Sequence, residues 1–255
     1  MKLINKSSTP VKRDDLFMKA PQSQNIAIDE DVAYLIGVLQ SDGCIYEFYD
    51  KKEKRKRIRL SLGVGQNSLP MSEKFKCILE KSLGIHVNIR KSPSAKNAYI
   101  IQTSINRTAH IFREWKKEEL DNEISNRIDL FGAYLAGLID GDGHIKIKNN
   151  HDRRIPQCMV RIAEDRPMKT LQHLILKFFN CKTHFEKNAD SKCVETCFYL
   201  SKKNSILFYK YVYTHLTLKH KIERLNQFLE MKKRALEDSN SRFTGPKPVV
   251  LSKLN

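Results

Sequence analysis

The chain has 255 residues and 40% of them are hydrophobic, so it is long enough for one large domain or two small ones. Lysine and arginine number 46 against 29 acidic residues, and the resulting net charge of +17 favours a polyanionic partner. No apolar run reaches the roughly 20 residues of a membrane span, and the N-terminus lacks the apolar core of a signal peptide. We therefore expect an intracellular protein without a membrane partner, which binds nucleic acid.

Residues 1–28 mix charges with proline and serine and have no clear period, which is typical of an N-terminal arm. We expect a first repeat at 29–125, a second repeat at 126–238 and a loose tail at 239–255. At the end of the second repeat, before the tail, the basic amphipathic pattern of KHKIERLNQFLEMKKRALE predicts a helix.

Nearly the same apolar stretch occurs twice in the chain. AYLIGVLQSDGCI begins at Ala33, and AYLAGLIDGDGHI begins at Ala133, 133 − 33 = 100 residues later. Ala33 and Gly37, like Ala133 and Gly137, stand four apart and so share one helix face. Because small residues let two backbones approach closely, we expect the two helices to pair through these faces.

The segments after each copy of the motif also repeat. Alternating runs predict a hairpin, helical spacing predicts a helix, a second strand pair follows, and another helix closes the unit. The fold class is therefore α+β, with two pseudo-symmetric αββαββα repeats. Each repeat should contain a four-stranded antiparallel sheet, and the two should pack through the motif helices, since either alone would be marginal.

Each motif ends in Asp-Gly, which places Asp42 and Asp142 at the negative ends of their helix dipoles. Gly43 and Gly143 are suited to a left-handed C-terminal turn. If the helices pair, both carboxylates lie together beside unpaired carbonyls. Such a group of oxygen ligands favours the binding of a cation such as Mg²⁺. The alternative is that each aspartate only caps its helix, but the duplication favours the metal site.

At residues 35–43 and 135–143, LIGVLQSDG and LAGLIDGDG resemble the two signature motifs of the LAGLIDADG homing endonucleases in their single-chain, double-motif form. The resemblance extends over about residues 30–235. It implies that Asp42 and Asp142 are metal ligands, with the carbonyls of Ser41 and Gly141 as partners. It also implies Mg²⁺ as cofactor, replaceable by Mn²⁺, with Ca²⁺ binding without supporting cleavage.

The family also places a polar residue at the end of the second strand of each repeat, and a lysine after the last helix. By resemblance these catalytic residues are Gln66, Glu164 and Lys219, and Lys219 has the alternative of an ordinary solvated lysine. For its first-repeat counterpart the candidates are Lys116 and Lys117. The sequence departs from the family at Gln40 and Ser41, which stand where an acidic and a small residue are common.

Strand alternation separates core residues from residues that face outward, towards DNA in this family. Met159 also falls on the outward face. The predicted DNA-binding residues are Tyr46, Phe48, Arg57, Arg59, Ser61, His144, Lys146, Lys148, Arg153, Arg154, Gln157 and Arg161. We expect the two sheets, side by side, to form a basic saddle, with hairpin lysines and arginines holding phosphates.

The six cysteines are scattered rather than set at disulfide spacings, which predicts buried thiols in a reducing compartment. Cys181, His184, Cys193 and Cys197 have the residue types of a zinc site, but they lack paired C-x-x-C spacing. We predict core cysteines rather than zinc ligands.

The predicted function is site-specific homing endonuclease activity, with a metal-dependent staggered double-strand break in a long asymmetric DNA target. The alternative is an RNA-binding maturase on the same fold, with or without cleavage and with intron RNA as partner. Retention of both aspartates favours the nuclease. A transcription regulator would need a further helix-turn-helix domain. With two repeats in one chain, we expect a monomer that is located with the host genome.

Overall fold

The computed structural model describes residues 26–93, 95–105, 122–148, 156–164, 169–187 and 194–243. Most of the predicted arm and tail, the closing helix of the first repeat with Lys116 and Lys117, and Arg153 and Arg154 lie outside these ranges. Within them, no helix combines the length and the apolar character needed to cross a membrane.

The first repeat begins with its motif helix and continues into two strand pairs separated by a helix. Its elements are α1 (Glu30–Gln40), β1 (Gly43–Asp50), β2 (Arg55–Gly65), a 3₁₀ turn (Gln66–Ser68), α2 (Leu69–Leu83), β3 (Ile89–Lys91) and β4 (Ala98–Ile105).

The second repeat has the same order and is followed by a long helix. Its elements are α3 (Asn122–Asn126), α4 (Ile128–Asp142), β5 (Gly143–Lys148), β6 (Gln157–Glu164), α5 (Lys169–Phe179), β7 (Thr183–Lys187), β8 (Val194–Leu200), α6 (Lys202–Tyr211), a 3₁₀ turn (Tyr213–His215) and α7 (Lys219–Phe243).

Each repeat contains one four-stranded antiparallel sheet, in the orders β1-β2-β4-β3 and β5-β6-β8-β7. The strand registers are also equivalent, since Gly43 pairs with Leu62 and Gly143 pairs with Ile162. The predicted fold class, with two matching sheets and helices packed on them, is confirmed.

Local sequence explains where the first motif helix begins. The side chain of Asp29 accepts a hydrogen bond from the Val32 N–H at 2.8 Å, which satisfies one of the free donors of the first turn. Glu30 and Asp31 follow and place negative charge at the positive end of the helix dipole. Helix α2 ends at Gly84, whose φ of 63° is left-handed.

The two motif helices form the centre of the core and touch through their backbones. A Cβ atom built on Gly37 would lie 2.2 Å from the carbonyl oxygen of Tyr134, and one on Gly137 would lie 2.2 Å from that of Tyr34. Ala33 is completely buried in the same contact layer. The predicted pairing through small residues is therefore what the structure contains.

The glycines that follow the motif helices have a different role from the predicted one. Gly143 has φ −81° and ψ 147°, which is extended backbone rather than a left-handed turn. A Cβ atom on Gly143 would lie 2.4 Å from the Cα atom of Ile139, and one on Gly43 would lie 2.7 Å from that of Leu39. These glycines are required because each first strand turns back closely over its own helix.

The helix contact yields a stability prediction. Gly137→Ala should lower the free energy of unfolding by about 1–3 kcal/mol, because the clash with the Tyr34 carbonyl outweighs the gain in helix propensity of about 1 kcal/mol. The measurement is urea unfolding followed by circular dichroism. Gly63→Ala is the control, since a Cβ atom there meets nothing within 4 Å. Equal stability of the two variants would contradict the close approach.

Candidate functional site

The C-terminal ends of the two motif helices meet at one place. A Cβ atom built on Gly141 would lie 2.6 Å from the Cβ atom of Ser41 and 3.4 Å from the backbone nitrogen of Asp42. Asp42 and Asp142 are both exposed at this end. Two carboxylates from different repeats therefore stand at one accessible junction, together with the main chain of Ser41 and Gly141.

Two hydrogen bonds cross the helix pair above this junction, and they are related by the pseudo-symmetry. The Tyr34 hydroxyl donates to Oδ2 of Asp140 at 2.8 Å, and the Tyr134 hydroxyl donates to Oε1 of Gln40 at 2.6 Å. Gln40, which departs from the family pattern, thus occupies the position of Asp140 and keeps the interaction as a neutral acceptor.

Lys221, and not Lys219, reaches the helix junction. Its side-chain nitrogen donates to the carbonyl oxygens of Ile139, of Asp140 at 2.9 Å and of Gly141 at 3.4 Å. Burial lowers the pKa of Lys221, while the carboxylates of Asp140, Asp42 and Asp142 act in the opposite direction. The charges of both predicted metal ligands therefore act on the ammonium group of Lys221.

The prediction for Lys219 is corrected by the same geometry. Lys219 begins α7, its side chain is 87% exposed, and its nearest ion-pair partner is Glu223 at 3.7 Å. Residues two apart on a helix point in very different directions. When Lys221 faces the buried junction, Lys219 must therefore face solvent.

The strand registers correct the predicted equivalence of Gln66 and Glu164. Because Leu62 corresponds to Ile162 across the repeats, Glu164 corresponds to Val64, and it pairs with Val194 in the sheet. Gln66 follows β2, is exposed, and donates its backbone N–H to the carbonyl of Asn97 at 3.0 Å. Its sequence counterpart, Arg166, lies outside the described ranges.

The outward face of the first sheet carries an arginine held by aromatic rings. The guanidinium carbon of Arg59 lies 4.3 Å from the ring centre of Phe48, and Nη1 of Arg59 donates to the Tyr46 hydroxyl at 3.0 Å. Gln102, which was not predicted, donates to the same hydroxyl at 3.3 Å. Arg57 pairs instead with Asp50 and Glu53, and Ser61 is half-buried beside Gln102 in the sheet register.

The outward face of the second sheet has mixed charge. Arg161 forms ion pairs with Glu186 and with Glu195, the latter at 3.1 Å. His144 is its cross-strand neighbour on β5, and burial followed by the charge of Arg161 lowers the pKa of His144. Lys148 donates to the Tyr199 hydroxyl at 3.2 Å. Lys146 is exposed and Gln157 is half-buried.

One residue of this face is covered by its neighbours and so cannot contact DNA as its strand position predicted. Leu60, Leu62, Val160 and Ile162 are buried as expected, but Met159 is also buried although it was predicted to point outward. Its neighbours in the register are Lys146 and Tyr199, whose larger side chains stand on the same face. Strand parity identifies the face of a residue, not whether its neighbours cover it.

The cysteine group does not form the four-ligand arrangement considered from sequence. Cys181 is buried, where its sulfur accepts a hydrogen bond from Asn204 at 2.7 Å, and Cys193 lies outside the described ranges. One ligand atom each from His184, Glu186 and Cys197 lies within 4.8 Å of the others. Since Arg161 already pairs with Glu186, its positive charge disfavours a cation there.

Comparisons with known proteins agree with the fold. Residues 29–115 match the model of the LAGLIDADG-like domain. The structure of I-DmoI in complex with DNA and Ca has a TM-score of 0.56 at 14% identity, over 78% of this chain and 97% of that one. The chain has the fold of the two-repeat LAGLIDADG homing endonucleases.

Two further similarities extend the comparison. The I-LtrWI LAGLIDADG homing endonuclease bound to target DNA has a TM-score of 0.54 at 14% identity, covering 85% of this chain and 96% of I-LtrWI. An uncharacterized protein of Methanocaldococcus jannaschii is 26% identical over 146 residues, which is 56% of this chain and 51% of that protein.

Sequence reasoning missed Lys221 and Gln102. Lys221 stands two residues after Lys219 in a lysine-rich segment, and only the direction of α7 distinguishes the two. Gln102 pairs with Ser61 and lies on the outward face of β4, as Ile100 does. Extending the strand argument to the second strand pair would therefore have identified Gln102.

Proposed function

We propose that this protein is a site-specific double-strand DNA endonuclease that depends on a divalent metal ion and cleaves a long asymmetric target. The observation that carries the proposal is the meeting of Asp42 and Asp142 at the helix junction, where both charges act on the buried cation of Lys221. A protein that only bound nucleic acid would have no use for paired carboxylates at that place.

The donor set at the junction fits Mg²⁺. Carboxylate and carbonyl oxygens are the hard ligands that this ion prefers, and it shares its coordination readily with phosphate oxygens and water. Asp42 and Asp142 would hold it, with the carbonyls of Ser41 and Gly141 as further candidates. When bound there, the ion would activate water and stabilise the leaving oxygen of a phosphodiester.

Lys221 has a separate role in the proposed reaction. Its ammonium group lies against the last carbonyls of α4, so it offsets the negative end of that helix next to the two carboxylates. A positive charge held at this position stabilises the charge that develops on a scissile phosphate. Because burial fixes the side chain, it needs little reorganisation when DNA binds.

The outward faces of the two sheets supply the DNA-binding surface in this proposal. Arg59, stacked on Phe48 and bonded to Tyr46, is oriented before it meets a base or phosphate. On the second sheet Arg161 is held between two glutamates. Different side chains at matching strand positions would recognise different half-sites, as an asymmetric target requires. One chain contains both faces and acts as a monomer.

The first test is cleavage of a randomised duplex library, followed by sequencing of the cut ends. Wild-type protein with Mg²⁺ or Mn²⁺ should cut one family of sites, while Ca²⁺ should support binding alone. Asp42→Asn and Asp142→Asn should each abolish double-strand cleavage and keep target binding, because the metal loses a charged ligand. Chelation of the metal should stop the wild-type enzyme in the same way.

Two outcomes of this test would contradict the proposed function. An Asp142→Asn protein that cuts at the parental rate in Mg²⁺ would overturn the assignment of the metal site. Failure of the wild-type protein to cut any duplex, together with tight binding to a structured intron RNA, would favour the maturase.

Lys221→Met and Lys219→Met form a matched pair of variants with the same change in charge. At saturating DNA, Lys221→Met should slow single-turnover cleavage by about 100-fold or more, a loss typical of a preorganised charge at the reacting centre. Lys219→Met should cut at close to the wild-type rate because its side chain is solvated. Equal rates for the two variants would contradict the role of Lys221.

The DNA-binding surface is tested with Arg59→Ala. We expect target affinity to fall by about 1–3 kcal/mol, measured by fluorescence anisotropy over a series of salt concentrations. Lys81→Ala removes the same unit of charge from the exposed side of α2 and should have a much smaller effect. If both variants lose equal affinity, only net charge matters and Arg59 makes no specific contact.

A further inference from the structure

Asp140 is a buried carboxylate that the proposed chemistry leaves without a role. It is 1% exposed and lies two residues before the predicted metal ligand Asp142. Its Oδ2 accepts hydrogen bonds from the Tyr34 hydroxyl, the Thr217 N–H and the Thr217 hydroxyl, each at 2.8 Å. The carboxylate therefore joins both motif helices to the segment that precedes α7.

This segment leads directly to Lys221. Oδ1 of Asp140 faces the N–H of Leu218 at 3.4 Å, and the Leu218 carbonyl accepts the backbone N–H groups of Lys221 at 2.9 Å and Ile222 at 3.1 Å. Asp140 thus holds the first turn of α7. The side chain of Lys221 then returns to the carbonyls of residues 139–141, including that of Asp140 itself.

The surroundings of Asp140 balance its charge. The side-chain nitrogen of Lys74 lies 3.6 Å from the ring centre of Tyr34 and donates to the His215 carbonyl at 2.8 Å. Burial lowers the pKa of Lys74 and the charge of Asp140 opposes this shift. The charge of Asp140 therefore acts on two cations, the half-buried Lys74 of α2 and the buried Lys221 of α7.

The first repeat has a neutral residue at the matching place. Gln40 accepts from Tyr134 at 2.6 Å, which reproduces the Tyr34–Asp140 bond across the helix pair. The bonds to Thr217 belong to Asp140. Removal of either side chain should disturb the helix pair to a similar extent, whereas Asp140 also bonds to Thr217 and Leu218, in the segment that leads to Lys221.

We propose that Asp140 is a positioning residue that fixes the start of α7 and so holds the ammonium group of Lys221 at the junction of Asp42 and Asp142. This inference rests on the proposed endonuclease function. Its consequence is asymmetric: the strand cut with the help of Lys221 depends on Asp140, and the other strand does not.

The experiment compares Asp140→Ala, Asp140→Asn and the control Gln40→Ala on a supercoiled plasmid that carries the target. Asp140→Ala should slow nicking of one strand by about 100-fold, the loss typical of a displaced catalytic group, with a much smaller change in target affinity. The nicked circle should accumulate. Asp140→Asn, which retains an acceptor for Thr217, should recover part of the rate, and Gln40→Ala should not produce the strand bias.

A second measurement does not depend on cleavage. Amide hydrogen exchange over residues 216–222 of the free protein should become faster in Asp140→Ala than in Gln40→Ala, because only the former frees the start of α7. If Asp140→Ala does not fold, Thr217→Val removes one bond to Asp140 and should show the same bias in a weaker form.

The outcomes separate this inference from the proposed function. Equal slowing of both strands, or unchanged exchange over residues 216–222, would overturn the positioning role even if the wild-type protein is an active nuclease. An inactive wild-type protein would overturn the nuclease proposal, and the exchange data would still decide whether Asp140 holds α7.

Discussion

The backbone contact between the two motif helices is the constraint on which the rest of this molecule depends. Gly37 and Gly137 allow each helix to approach the carbonyl groups of the other, and side chains there would force the helices apart. Both helices are otherwise lined by large apolar residues that are fully buried. Their C-terminal ends therefore meet at a fixed distance, which determines where Asp42 and Asp142 stand.

Electrostatics at this junction follow from that approach. Two helix C-termini and two carboxylates concentrate negative charge, and the protein places the buried cation of Lys221 beside them. Asp140 adds a fully buried negative charge that is satisfied by a tyrosine, a threonine and main-chain N–H groups. Since an isolated buried charge is costly, each of these groups requires the others.

The two repeats share backbone geometry but differ in chemistry. Strand registers match residue by residue, yet Arg59 of the first sheet matches Met159 of the second, and Arg161 of the second matches Ser61 of the first. The same contrast recurs in the core, where Gln40 stands opposite Asp140. The duplicated scaffold therefore presents two unlike surfaces and two unlike supports for one central site, which a symmetric homodimer could not do.

The sequence by itself determined the duplicated order of elements, the small helix faces and the placement of Asp42 and Asp142, because these follow from hydrophobic period and from spacing along one helix. Only the tertiary structure decided which lysine reaches the junction, since Lys219 and Lys221 differ solely in the direction in which α7 presents them. It also decided that Glu164 matches Val64 rather than Gln66, and that Met159 is covered. Such features depend on strand register and on neighbours distant in sequence, which local patterns do not encode.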